Sequence, residues 1–257
     1  MRIFWQSYVD EENGATYWQA LRKHLGEAAA PGTEVQVHGI TPYNSYAHPL
    51  VEFRCAREMI SNAIRAEREG YDAFVVGHFQ DAGLYEARAA VGIPVIGLGE
   101  ASMLHACQLG QRVAVVTINP RFVSYIERQV GTYGLKDRVK DVTAMVFEPG
   151  QIMAAFHDAG AFEETKRQFD TLAEPLVASG TDVIVAGGGI PMLLFAGVRA
   201  HRIKDAPVMN GLPVALMAAE TAVRLGRLNG LEASRRSDFA RPPDWVLEEF
   251  LTHPKGL

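Results

Sequence analysis

His78 stands in the segment Asp72-Ala-Phe-Val-Val-Gly-His-Phe-Gln-Asp-Ala-Gly-Leu84, directly after a short apolar run and a glycine. An imidazole changes charge near neutral pH, so at such a strand end it can take up or release a proton. It can equally do no more than hydrogen-bond its own turn. Gln80 and Asp81 follow in the same loop, one as a substrate-binding amide and the other as a supporting carboxylate. A second apolar run, Asp182-Val-Ile-Val-Ala, ends in Gly187-Gly188-Gly189-Ile190-Pro191. A turn this rich in free backbone N–H groups can hold a carboxylate or an oxyanion. The alternative is a tight turn in which glycine only relieves steric conflict. Moving a proton at a carbon beside a carbonyl needs a base near that carbon and donors for the developing oxygen charge. Each segment offers one of these two requirements.

Further polar groups fall at other strand ends. Trp5-Gln6-Ser7-Tyr8 closes the first strand, with Gln6 and Ser7 as binding groups and Trp5 as a flat wall or simply a buried aromatic. Tyr43-Asn44-Ser45-Tyr46-Ala47-His48 follows the second, and the phenol of Tyr46 and the imidazole of His48 offer acid, base and hydrogen-bonding functions. Thr117 and Asn119 end another strand, and Asn210 ends the last. Glu100 falls at a helix start, where the macrodipole stabilises a carboxylate; it could instead orient His78.

Apolar runs alternate with helix-period segments through most of the chain, which predicts parallel sheets covered by helices. Strands are expected near 2–7, 33–38, 72–76, 94–97, 112–117, 141–147, 182–186 and 206–209. Helices are expected near 12–29, 50–69, 83–91, 99–109, 120–134, 150–159, 162–179, 190–200 and 212–227. Gly70, Gly92, Gly110, Gly134 and Gly180 fall where helices should end, a common place for a left-handed cap. The fold class is therefore α/β, with two similar lobes that each hold a four-stranded parallel sheet. The first spans 1–110, joined by the helix near 212–227, and the second spans 111–211. After Gly230 the sequence turns Ser/Arg/Pro-rich before a short helix near 244–252. Residues 228–257 read as an extension packed on a lobe or on a neighbouring subunit. Open sheets of this kind place ligands at the carboxyl ends of their strands.

Composition excludes several partner classes. A net charge of −5 leaves no basic footprint for nucleic acid. No run reaches the ~20 apolar residues that span a bilayer. The chain opens on a strand pattern without a signal-like apolar region. Cys55 and Cys107 lie in helix patterns far apart, which suggests free thiols and a cytoplasmic setting. His38, His48, His78 and His105, with Asp81 and Glu100, show no metal-ligand spacing, so neither metal nor other cofactor is expected.

Taken in order, the opening strand, the loop after residue 76, Pro94-Val-Ile-Gly-Leu-Gly-Glu-Ala101, Val115-Val-Thr-Ile-Asn-Pro120, the 182–189 loop and Pro207-Val-Met-Asn-Gly211 resemble one superfamily. It is the Asp/Glu/hydantoin racemase superfamily, most closely its hydantoin racemase branch, and the likeness covers about residues 1–228. The resemblance implies two Rossmann-like lobes with the active site in the cleft between them. It also implies a catalytic cysteine in each of two loops, the thiols facing each other across the substrate. Those places fall on His78 and Gly188, and neither Cys55 nor Cys107 matches them. Relatives carry a glutamate where Glu100 stands, often an aspartate where Asn210 stands, and an Asn-Pro-Asn-Thr-Ser-like loop that Trp5-Gln6-Ser7-Tyr8 replaces.

The expected function is one-base chemistry by His78 beside a carbonyl of a small carboxylate or a hydantoin-like ring, of isomerase or lyase type. A hydrolase that activates water near His48 and His78, with or without a metal, is the second reading. A non-catalytic small-molecule sensor is the third. The expected partners are a small-molecule substrate and further copies of the same chain.

Overall fold

A computed structural model describes residues 1–11, 14–44, 46–147 and 150–253. The first half alternates β1 (Arg2–Gln6), α1 (Ala15–Ala28), β2 (Glu34–His38), α2 (Pro49–Arg68), β3 (Ala73–Val76), α3 (Leu84–Ala90), β4 (Val95–Gly97) and α4 (Leu98–Leu109). The second half continues with β5 (Val113–Thr117), α5 (Pro120–Thr132), β6 (Val139–Ala144), α6 (Gln151–Ala154), α7 (Ala159–Ala178), β7 (Val183–Gly187) and α8 (Gly189–Leu194). It ends with β8 (Arg202–Ile203), β9 (Ala206–Met209), α9 (Gly211–Asn229) and α10 (Asp244–Thr252).

The first sheet has strand order β2-β1-β3-β4, and every pairing in it is parallel. The second runs β6-β5-β7-β9-β8, parallel except for the last pair. Without β8 the two sheets have the same winding, so the lobes are topological repeats although their sequences show none. The central strands explain the arrangement. Ala-Phe-Val-Val in β3, Val-Ala-Val-Val-Thr in β5 and Val-Ile-Val-Ala-Gly in β7 are buried at every position. Continuous apolar runs of this kind suit a parallel sheet with helices on both faces. Each fully buried Val, Ile or Phe stabilises this core by about 1.5–3 kcal/mol. Helix α9 returns to the first sheet, where it packs on β3, β4 and α4.

Several expected boundaries move. The second sheet has five strands because Arg202–Ile203 adds an antiparallel edge, too short to leave a period-2 pattern. The strand placed at 141–147 is β6, at 139–144. The helix expected over 150–159 shrinks to the four residues of α6, and that over 190–200 to α8 plus a 3₁₀ turn at Phe195–Gly197. Helix α1 starts at Ala15; residues 12 and 13, within the expected helix, lie outside the described residues. Gly70, Gly134 and Gly180 take left-handed φ, but Gly110 is extended (φ −166°) and Gly92 has no positive φ. At Gly110 it is space that excludes a side chain, since a Cβ would lie 2.5 Å from that of Asp182.

The C-terminal extension lies on the first lobe. Leu247 of α10 joins the apolar cluster of Met59, Ile60 and Ala90. Arg57 donates to the carbonyl of His253, while Arg241 pairs with Glu67.

Candidate active site

The carboxyl ends of β1, β3, β5 and β7 meet at one cavity of about 360 Å³ between the two sheets. Ser7, Tyr8 and His78 line it from the first lobe, and Thr117, Asn119 and Gly187–Gly189 from the second. The lobes come close here: a Cβ on Gly189 would stand 3.2 Å from the carbonyl oxygen of Gly77. Gly77 itself has no room for a side chain, because a Cβ would fall 2.2 Å from the indole nitrogen of Trp5. Val9, Ile118, Phe122, Phe147, Ile152 and Ile190 give the cavity apolar walls.

His78 is held by a carboxylate that the sequence patterns did not single out. Its Nε2 lies 2.9 Å from Oε2 of Glu52 on α2, and the Glu52 side chain is only 2 % exposed. The other carboxylate oxygen accepts from Nδ2 of Asn44 at 2.6 Å. Burial acts to raise the Glu52 carboxyl, but the His78 charge, the His78 hydrogen bond and the Asn44 amide outweigh it, so the group is held below its ordinary value. An ionised carboxylate only accepts, so the neutral imidazole carries its proton on Nε2. Nδ1, with no protein partner among the described residues, keeps its lone pair. Tyr8 stacks flat on the ring, with centroids 4.3 Å apart. Burial, aided by the charges of Glu52, Cys55 and Asp81, raises the Tyr8 phenol well above its ordinary value. Tyr8 therefore stays protonated and donates to the carbonyl of Ala82 at 3.1 Å.

Facing His78 is a set of donors. The Gly188 N–H is already used, donating to the carbonyl of Ala186 at 2.9 Å. Among the described residues the N–H groups of Gly189 and Ile190 have no acceptor, and both residues line the cavity. Thr117 is fully buried, lines the cavity and, among the described residues, has no partner for Oγ1. Ser7 Oγ lies 3.1 Å from the hydroxyl of Tyr17, whose pKa burial pushes up to about 12 against the pull of that bond.

The remaining expected site residues divide. Gln80 and Tyr46 line the cavity, Tyr46 at the mouth with the guanidinium of Arg121 4.1 Å above its ring. Ser45 beside it lies outside the described residues. Asn119 also lines it while capping α5, accepting from the Arg121 N–H at 3.0 Å. His48 is an exposed N-cap, its Nδ1 accepting from Leu50 at 3.2 Å, and it does not line the cavity. Gln6 is buried, donating to Ser7, His38 and Gly39 and accepting from Asn62, so it has nothing to offer a ligand. Asn210 caps α9 and donates to Met192 at 3.0 Å, away from the cavity. Glu100 pairs with Arg88 and does not orient His78. Asp81 supports the site from behind: it accepts from the Gly99 and Glu100 amides at the start of α4 and from the Tyr133 hydroxyl. Burial pushes the Asp81 carboxyl up to about 7 despite those three donors. Trp5 is core, and neither Cys55 nor Cys107 lines the cavity. Among the described residues no three His, Cys, Asp or Glu side chains gather where they could hold a metal ion, and no helix is long and apolar enough to cross a membrane.

The sequence profile of the Asp/Glu/hydantoin racemase family matches residues 13–219. The chain belongs to this family. Within the Asp/Glu/hydantoin racemase family it is similar to hydantoin racemase of Pseudomonas sp. (strain NS671), 31% identical over 213 residues that cover 81% of this chain and 83% of that protein. Among solved structures it is similar to allantoin racemase from Klebsiella pneumoniae, at a TM-score of 0.77 and 26% identity over 95% of this chain and 94% of the other. Allantoin racemase from Pseudomonas fluorescens gives 0.76 and 25%, covering 94% and 97%. The two-lobed α/β fold and the hydantoin racemase branch expected from the sequence are thus both borne out.

Proposed function

We propose that this protein is an acid–base enzyme acting on a hydantoin-like ring, with His78 as its one base at a carbon next to a carbonyl. The observation that carries this reading is the Glu52-held imidazole in the interlobe cavity, opposite a glycine turn. With the Nε2 proton bound to Glu52, Nδ1 is the nitrogen that can abstract the proton. The carboxylate then stabilises the imidazolium that forms. Thr117 Oγ1 and the amides of Gly189 and Ile190 are the donors available to the oxygen that gains charge. His78 and Gly188 stand, in this reading, where the family's two thiols stand, so the second face has no base. That asymmetry favours isomerase or lyase chemistry over two-thiol racemisation.

The cavity also discriminates between substrate classes. No Lys, Arg, Asp or Glu lines it among the described residues. A free carboxylate would be desolvated there without a fixed cation, which is costly. A neutral cyclic amide with an apolar substituent suits the donors and the apolar wall. The test is NMR in D2O on hydantoins with apolar 5-substituents and on allantoin, following loss of the C5–H signal. Enzyme-dependent loss is expected. Ligands that bind without any exchange, elimination or ring change would overturn the reading.

Gly188 offers an independent check. Its φ of 159° is one that side chains rarely adopt, and a Cβ would lie 3.0 Å from Cδ of Pro191. Gly188→Val should therefore lose about 1–3 kcal/mol of stability and fill the open face of the cavity, with turnover falling at least about tenfold. Gly188→Cys meets the same backbone cost but brings a thiol to that face, and is expected to add exchange into the opposite enantiomer. Chiral chromatography of the product, compared with wild type, reads this directly.

A further inference from the structure

Helix α5 belongs to the second lobe, yet its two ends serve one site. Asn119 and Phe122 at its start line the cavity. From its last turn Gln129, which is buried, donates through Nε2 to the carbonyl of Phe79 at 2.8 Å. Tyr133, just past the helix, donates its hydroxyl to Asp81 Oδ2 at 2.8 Å. Phe79 and Asp81 are the first and third residues after His78, so both bonds reach across the lobes to the segment that presents the imidazole. The segment is irregular, with φ 48° at Asp81 and 84° at Gly83. It is also tightly enclosed: a Cβ on Gly99 would sit 2.1 Å from the Phe79 carbonyl oxygen. Within the first lobe, Asp81 accepts from the Gly99 and Glu100 amides. The loop is thus pinned from both lobes at once.

We infer that Gln129 and Tyr133 are positioning residues that set the orientation of His78 according to how the second lobe seats on the first. The inference rests on the reading of His78 as the base. A buried carbonyl or carboxylate that loses a donor is destabilised where it stands, and the loop relaxes toward water or another donor. A displacement on the order of 1 Å at a reacting group can cost about 10²-fold in rate. A lobe motion that carries α5 away would therefore disengage the base without touching it.

The test compares Tyr133→Phe and Gln129→Met with wild type, each a near-isosteric removal of one donor, after circular dichroism confirms the fold. The first readout needs no substrate: the C2–H resonance of His78 in ¹³C-histidine-labelled protein, assigned by its absence in His78→Asn. It should shift or broaden in both variants. The second readout is exchange of a 5-substituted hydantoin, where kcat should fall about tenfold for each variant with KM changed less than about twofold. An unmoved His78 resonance, or a loss confined to KM, overturns the inference, since a merely structural bond would lower stability and leave both unchanged. Full turnover by His78→Asn would instead sink the acid–base reading, and the resonance would still report whether α5 sets the loop.

Discussion

His78→Asn is expected to lower kcat for exchange at the substrate carbon by about 10²–10⁴-fold, the range for loss of a positioned acid–base group. The asparagine amide reaches only the place of Nδ1, so Glu52, which meets Nε2, loses that partner. His78→Gln, whose amide reaches the Nε2 place, is the companion variant that keeps a donor on Glu52 and the loop after β3 in position. What disappears is the ring nitrogen that accepts the substrate proton in the proposed mechanism. KM should change far less than kcat, because an interaction made mainly in the transition state is lost. Steady-state kinetics with a 5-substituted hydantoin in D2O, alongside circular dichroism, measures this. A variant that retains the wild-type rate would make His78 a turn residue stacked on Tyr8, and Tyr46 at the mouth would then be the next group to test.

The second large effect is expected from Glu52→Gln. The substitution keeps the shape and an acceptor for Asn44 but turns an NH2 toward Nε2. A donor at that place favours the tautomer with the proton on Nδ1, leaving no lone pair for the substrate. It also removes the charge that steadies the imidazolium. A hydrogen bond to a charged group contributes about 1.5–3 kcal/mol, so kcat should fall about 10–100-fold. Stability should change with a defined sign. Glu52 lies below its ordinary value in the fold. Its contribution is therefore present above about pH 4.3, the usual glutamate value, and lost as pH falls through its folded value. Urea midpoints for Glu52→Gln should fall less steeply over that acid range. A wild-type kcat in Glu52→Gln would show that the carboxylate does not govern the imidazole.

The core strands were legible because β3, β5 and β7 are almost wholly apolar runs, β3 and β7 closed by Gly77 and Gly187, and burial on both faces leaves that mark. The strand that escaped, β8, is two residues long, and α6, expected as a longer helix, is four; neither contains enough sequence to show a period. Glu52 escaped for another reason: it lies 26 residues before His78, and only the pairing of β1 with β3 and the packing of α2 bring them together. A signal was present, since Glu52 falls on the same helical stripe as Cys55, Ala56 and Met59, all buried. A carboxylate within an apolar stripe needs a partner, and reading the stripe strictly would have asked for one. His48, Asn119 and Asn210 illustrate the opposite confusion. In parallel sheets the residue after a strand is often the first of a helix, so a group that caps an amide looks like one that binds a ligand. Asn119 does the first while facing the cavity; His48 and Asn210 only cap.

The repeated winding of the two sheets has a stereochemical consequence. The lobes give the cavity a nearly two-fold frame, yet one strand end carries an imidazole and its counterpart carries a hydrogen atom. With His78 as the base, as proposed, a planar, enol-like species held in that frame would be protonated from the β3 side. Whenever such a species arises by losing something other than a proton, the new stereocentre would be formed with a single handedness. A substrate with two identical, prochiral groups would then leave as one enantiomer, its configuration dictated by which lobe kept a side chain.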